Sequence, residues 1–219
     1  PTLLERLRLL SGLIEQADQE LAELEATGNP SVRLLLARTY QLVVARRIPE
    51  AIAAGQRAER AAMVDPGSAD HAEAVWQLAE AQRVAEDVDA SIATLDRLLA
   101  VYGAKNEHPR ALLTRLRKVR NLQSADRADA SMRDETAALL AALGRQYAPT
   151  SRVMGLAYSQ HALALEAAGD VAGAIVAHEQ SLAALEATLG PTHRNVLMAR
   201  FNVADQLAEQ GSPRAREVF

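Results

Sequence analysis

Prolines at positions 30, 66, 109, 149 and 191 stand 36, 43, 40 and 42 residues apart, and each precedes a run with helical patterning. Proline suits the first turn of a helix, where its missing N–H is not needed and its fixed φ is already helical. The segment LAELEATGNP at 21–30 returns as LAALEATLGP at 182–191, so the echo spans the same set of prolines. A chain that repeats itself with a period near forty residues folds as an array of one supersecondary unit, because a single unit cannot bury its own apolar face.

Each period divides into two helices. Residues 71–85, HAEAVWQLAEAQRVA, lead through EDVD into ASIATLDRLLAVYG, and residues 151–168, SRVMGLAYSQHALALEAA, lead through GDV into AGAIVAHEQSLAALEATLG. The joints RRIPEAI (46–52), EDVDASI (86–92) and AGDVAGAI (168–175) align, which makes Ile52, Ile92 and Ile175 equivalent expected core positions. SADRADASM at 124–132 is a weaker joint ending in Met132. Apolar residues such as Ile92, Leu95, Leu98 and Leu99 recur at three- and four-residue steps and form one buried stripe per helix. No alternating run with a hairpin dipeptide competes, and Asp65-Pro66-Gly67 falls at a repeat boundary. The expected fold class is all-α, a right-handed α-solenoid of stacked antiparallel helix pairs.

Composition narrows function mainly by exclusion. Apolar residues make up 49% of the 219, enough for a substantial core, while aromatic residues are 3%, so small side chains must let helices approach closely. Without cysteine there is no disulfide, thiolate nucleophile or Cys-based metal site. A net charge of −4 argues against a dedicated nucleic-acid binder. The most apolar stretch, RLLLARTYQLVVARR at 33–47, carries an internal Arg and is too short to span a membrane. Opening on Pro1 without Met reads as an excised piece, which leaves the cytoplasm, the periplasm and a neighbouring membrane helix all open.

The five histidines, at 71, 108, 161, 178 and 193, show no HExxH and no i,i+4 pair, and the GxSxG, P-loop and GxGxxG patterns are absent. No catalytic residue, no metal site and no cofactor is expected. His193 is placed as a helix cap, and His161 as a residue packed at a helix contact. PRALLTRLRKVR at 109–120 holds Arg110, Arg115, Arg117, Lys118 and Arg120; on a helix Arg110, Arg117 and Arg120 lie near one face, while Leu112, Leu113 and Leu116 face the core. It reads as a solvated face or, alternatively, as a cationic patch for an acidic peptide, a phosphate or nucleic acid, the last disfavoured by the acidic balance of the chain.

The C-terminal stretch LGPTHRNVLMARFNVADQLAEQG resembles the tetratricopeptide repeat (TPR) in its longer, roughly 42-residue form, known from kinesin light chains and many bacterial signalling proteins. Leu189, Gly190, Pro191 and His193, then Asn202, Val203 and Ala204, then Gly211 match that pattern; Glu107-His108-Pro109 is a faded copy of the opening. Repeats are placed near 30–65, 66–108, 109–148, 149–190 and 191–219, with 1–29 as a capping helix or partial repeat. The match is weakest over 109–148.

The resemblance implies a non-catalytic module binding a protein or peptide along a concave wall of first helices, where an Asn holds the backbone of an extended ligand. Aligned joints put Gln77, Arg117, Gln160 and Asn202 at one position, preceded by Leu36, Trp76, Leu116, Ser159 and Phe201. Tyr40, Arg83 and Arg120 stand one turn further along. Amides suit such a role because each offers a donor and an acceptor to a peptide group. Trp76 either fills space between helices or anchors a ligand. Arrays of this kind also occur as sensors of transmembrane Ser/Thr kinases, which gives a second context, including small-ligand sensing. A third is homodimerisation, since Met198, Phe201 and Leu207 lack an evident cover.

Overall fold

The computed structural model describes residues 15, 16, 19, 23, 26, 31–103, 107–125, 127, 129 and 131–218. The expected capping segment over 1–29 lies outside these apart from isolated positions. The chain forms two compact units, Pro1–Asn106 and Glu107–Phe219.

In the first unit the helices are α1 (Val32–Val44), α2 (Ile48–Ala62), α3 (Ala69–Val84) and α4 (Val88–Tyr102). In the second they are α5 (Pro109–Gln123), α6 (Met132–Gly144), α7 (Arg152–Ala167), α8 (Val171–Leu189) and α9 (Arg194–Glu209), followed by a 3₁₀ turn at Pro213–Arg216. Consecutive helices pack on one another within each unit, and first helices also touch, α1 against α3 and α5 against α7. This is an all-α fold of stacked antiparallel helix pairs, without a strand among the described residues.

The turn inside each pair explains why the joints stand out in the sequence. After α1, α3, α7 and α9 the chain passes one residue through left-handed backbone, at Arg46 (φ 60°), Glu86 (φ 63°), Gly169 (φ 78°) and Gly211 (φ 66°). The next residue's N–H then reaches back to a helix carbonyl: Arg47 to Leu42 (2.9 Å), Asp87 to Gln82 (3.0 Å), Asp170 to Leu165 (2.9 Å) and Ser212 to Leu207 (2.9 Å). This is the Schellman closure, which satisfies orphan carbonyls at a helix end. Asp87 and Asp170 then cap the following helix by accepting from the N–H of Ala90 and of Gly173.

Only glycine adopts the left-handed region without a Cβ penalty. Glu86→Gly and Arg46→Gly are therefore each expected to raise stability by about 0.5–1 kcal/mol, offset in part by the larger entropy of unfolded glycine. Urea unfolding of the two variants checks this.

The cores are built from small residues. On the second helices, Ala51, Ser91 and Ala174 occupy one buried position, Ala54, Thr94 and Ala177 the next, and Ala58, Leu98 and Ser181 another. Ser91 Oγ donates to the Ala79 carbonyl (2.7 Å) and Ser181 Oγ to the Gly155 carbonyl (2.8 Å), tying second helices to first helices through backbone. Ile52, Ile92 and Ile175 prove half-buried rather than central. Each follows the buried small residue by one step, about 100° around the helix, and so flanks the stripe. Met132, by contrast, is buried against Val119 and Ala164.

Leu207 is buried, against the expectation that it lacks a cover. The 3₁₀ turn packs on α9 beside it, and Arg214 pairs with Glu179 of α8 at 2.7 Å. Met198 and Phe201 do remain exposed, at 53% and 51%.

Candidate functional site

The first helices begin on well-formed caps. Ser68 and Ser151 accept from the N–H of His71 and of Met154, and in α5 and α9 a histidine does the same work. His108 Nδ1 accepts from Arg110 N–H (3.2 Å) and His193 Nδ1 from Asn195 N–H (3.1 Å), so His193 is a helix cap as its place in the turn implies.

Of the candidate residues, Tyr40, Trp76, Gln77 and Arg83 belong to the first unit and the remaining seven to the second. Gln77 is half-buried on α3; its Nε2 donates to Glu73 Oε1 (3.1 Å), and its buried Oε1 has no donor among the described residues. One and a half turns on, Arg83 grips Glu80 through two bonds of 3.0 and 2.6 Å, which raises the guanidinium pKa further. Tyr40 on α1 is 66% exposed, and Trp76 is half-buried.

In the second unit Gln160 sits nine-tenths buried on α7, its Oε1 likewise without a donor among the described residues. Gln123 of α5 donates from Nε2 to the Gln160 main-chain carbonyl (2.7 Å) and leaves its own Oε1 in the same condition. Arg117, Ser159 and Asn202 are half-buried; Arg120 is exposed and approaches Asn121 Oδ1 at 3.3 Å. Leu116 does not belong to an accessible wall. It is buried in a core with Leu112, Leu139, Leu143 and Met154, because its position faces the stacked neighbour rather than the surface. Phe201, at the corresponding place on α9, is exposed.

Five buried side-chain atoms lack a partner among the described residues. Four are glutamine Oε1 atoms on first helices, those of Gln77, Gln82, Gln123 and Gln160; the fifth is His178 Nδ1. An acceptor left this way costs about 1–3 kcal/mol, so the amides hold unspent hydrogen-bond capacity. Gln82 and Gln123 escape sequence reasoning, although Gln123 lies at the level of Arg83 in α3 and Glu166 in α7.

The basic residues of α5 do not gather on one open face. Arg110, Arg115, Arg117 and Lys118 are half-buried, and Arg115 lies 3.9 Å from Glu135. Leu112 and Leu116 are buried beneath them and Leu113 half-buried.

Elsewhere in the second unit a hollow of about 650 Å³ lies between α6 and α8 over His161, with Arg133, Asp170, Val176 and Gln180 around it. His161 Nδ1 is 2.8 Å from Thr136 Oγ1, whose hydroxyl also bonds the Met132 carbonyl. This places His161 at a helix contact. Burial, and then the Arg133 charge, hold its pKa below the ordinary value, against the pull of Asp170; burial lowers that of His71 likewise. A histidine whose pKa is depressed on folding binds its proton better when unfolded. Stability is therefore fully present above the unfolded pKa of about 6.5 and lost as pH falls from there through the folded values. Urea midpoints should drop between neutral pH and about pH 5, and His161→Gln should flatten part of that slope.

Among the described residues no group of three or more His, Cys, Asp or Glu could hold a metal ion, and no helix is long and apolar enough to cross a membrane.

No family model matches the chain, and no curated protein matches it in sequence. Its fold does match solved structures. A kinesin light chain of Podosopora anserina with nearly identical TPR-like repeats superimposes with a TM-score of 0.65 at 17% identity, over 85% of this chain and 90% of that one. A single-substitution form of that protein gives 0.67 at 16% identity, with the same coverage. BtubC (BKLC) from P. vanneervenii gives 0.69 at 14% identity, over 100% of this chain and 91% of that one. The fold is thus that of a kinesin-light-chain-like TPR array.

Proposed function

We propose that this TPR-like solenoid is a non-catalytic recognition module that holds an extended peptide segment of a protein partner against its first helices. The observation that carries the reading is the set of glutamine side chains on α3, α5 and α7 whose buried Oε1 atoms have no donor among the described residues, so that each gains a hydrogen bond by turning out to a ligand. An extended peptide presents N–H and C=O groups at regular spacing, and an amide side chain answers both. In the second unit Gln160 and Asn202 serve; the first unit, taken by itself, offers Gln77 in the same way. Half-buried Trp76 adds apolar contact, and the Arg83–Glu80 pair fixes the neighbouring rim. Leu116 has no part in it.

The parent context we favour is a larger bacterial signalling protein, the array providing partner recognition or sensing, including as the sensor of a transmembrane Ser/Thr kinase. The support is the Leu189-Gly190-Pro191-x-His193 opening and its resemblance to arrays in such proteins. No nucleic-acid or cofactor role is proposed.

The test is affinity capture from lysate followed by quantification of the same partner on wild type and on Gln160→Ala combined with Asn202→Ala. Loss of two amide contacts should weaken capture by about tenfold or more, since each hydrogen bond contributes about 0.5–1.5 kcal/mol. Equal recovery on both proteins contradicts the assignment.

A further inference from the structure

In the first unit a hollow of about 250 Å³ opens between α2 and α4. Its walls are Met63, directly after α2, and Val101 of α4; its floor is His71 of α3, which is 2% exposed. A volume below the roughly 300–1,000 Å³ of drug-sized sites suits a small molecule rather than a length of chain.

His71 stands where the first helices of the second unit carry no polar group. The same position is Ala111 in α5, Met154 in α7 and Val196 in α9, all buried. Its Nδ1 accepts from Gly67 N–H (3.0 Å), so the neutral ring carries its proton on Nε2. Burial, against the pull of Glu59 and Asp65, holds the pKa below its ordinary value, and the ring is neutral near pH 7. Nε2–H meets no acceptor among the described residues. Unlike the glutamine Oε1 atoms it is not sealed from solvent, and the space it opens to is the hollow. The turn that fixes this tautomer is fixed in its own right, because Tyr102 Oη donates to the Gly67 carbonyl (3.2 Å). A donor left unanswered at such depth costs stability that a bound acceptor returns.

The mouth adds charge. Glu59 is taken by Arg97, whose Nη2 reaches both carboxylate oxygens at 2.9 and 3.0 Å. Arg60 lines the same mouth, is exposed, and makes no ion pair among the described residues. The groups left for a ligand are thus donors only, one deep and neutral, the other outer and cationic, beside apolar walls. An amine or a cation would set donor against donor.

We propose that this hollow binds a small organic anion: its carboxylate on Arg60, a short apolar body against Met63 and Val101, and a carbonyl oxygen accepting from His71 Nε2–H. The peptide reading uses other residues, and neither depends on the other.

Nuclear magnetic resonance titration of the labelled 219-residue chain with 5-oxohexanoate, hexanoate and 2-hexanone, followed at the Met63 methyl and the His71 ring, tests it. The keto acid should bind saturably, about two- to tenfold tighter than hexanoate, which lacks the inner acceptor. It should bind about tenfold or more tighter than 2-hexanone, which lacks the charge. His71→Leu should abolish the first preference and Arg60→Gln the second. Met63→Trp should fill the hollow and lose all three probes with helical circular dichroism unchanged, since Met63 is exposed. Should His71→Leu unfold for want of the Gly67 bond, the probe ranking on wild type and the Met63→Trp result decide. No saturable shift with the keto acid, equal affinity for all three probes, or preferences that survive His71→Leu and Arg60→Gln would overturn the proposal. Tightest binding by 2-hexanone would make the hollow a socket for an apolar side chain of a protein partner, and would overturn it likewise.

Discussion

Gly155→Val is expected to destabilise the second unit by about 3 kcal/mol, the upper end of what overpacking a close helix contact costs. Gly155 lies buried inside α7, where a Cβ would approach Leu185 Cγ at 2.7 Å, Cδ2 at 2.8 Å and the Leu185 backbone N at 3.3 Å. Leu185 has no room to turn away: it is itself buried and packs on Val196 and Ala199 of α9. Helix propensity alone favours replacement of glycine, by about 1 kcal/mol for alanine, so the two effects oppose each other. At this separation the clash wins. Gly155→Ala should be destabilising by a smaller margin, and a rise in its urea midpoint would show that α7 and α8 do not approach so closely.

The second large effect concerns His178 of α8, which is 1% exposed. Its Nε2 lies 2.7 Å from Glu166 Oε1, while its buried Nδ1 has no partner among the described residues. His178→Ala should cost about 2–4 kcal/mol, because a side chain of this volume leaves a cavity that the neighbouring helices cannot fill. His178→Leu should stay within about 1 kcal/mol of wild type. α4 carries Leu95 at the equivalent place, the swap keeps volume, and it removes the unpartnered nitrogen. Glu166 loses a bond, but its side chain is partly exposed and water can replace the histidine. If leucine proves as damaging as alanine, the Glu166 bond and not packing holds α7 to α8.

The joints are the most legible part of the fold. A residue in the left-handed region followed by an Asp cap demands particular side chains, and Gly169-Asp170 and Glu86-Asp87 announce it to different degrees. Core positions are less legible. The helical period fixes a stripe to within a residue or so, and in an alanine-rich chain the residue that packs deepest is the small one, Ala51 or Ser91, not the isoleucine next to it. The candidate site is legible only as an alignment. Equivalence puts Leu116 beside Phe201, yet one is in a core and the other in solvent, since exposure depends on which helix lies above each. Gln123 escapes notice for the converse reason. Its bond to the Gln160 carbonyl joins residues 37 apart in sequence and follows from how α5 and α7 stack.

The proposal that first-helix amides read a peptide backbone is tested most directly by the amide side chains themselves. In ¹⁵N-labelled protein titrated with the captured partner segment, the side-chain NH₂ resonances of Gln160 and Asn202 should shift saturably. Those of Gln56 and Gln180, exposed on the second helices α2 and α8, should stay in place. Movement of Gln180 with Gln160 and Asn202 unperturbed would put the ligand on the second-helix face and contradict the account.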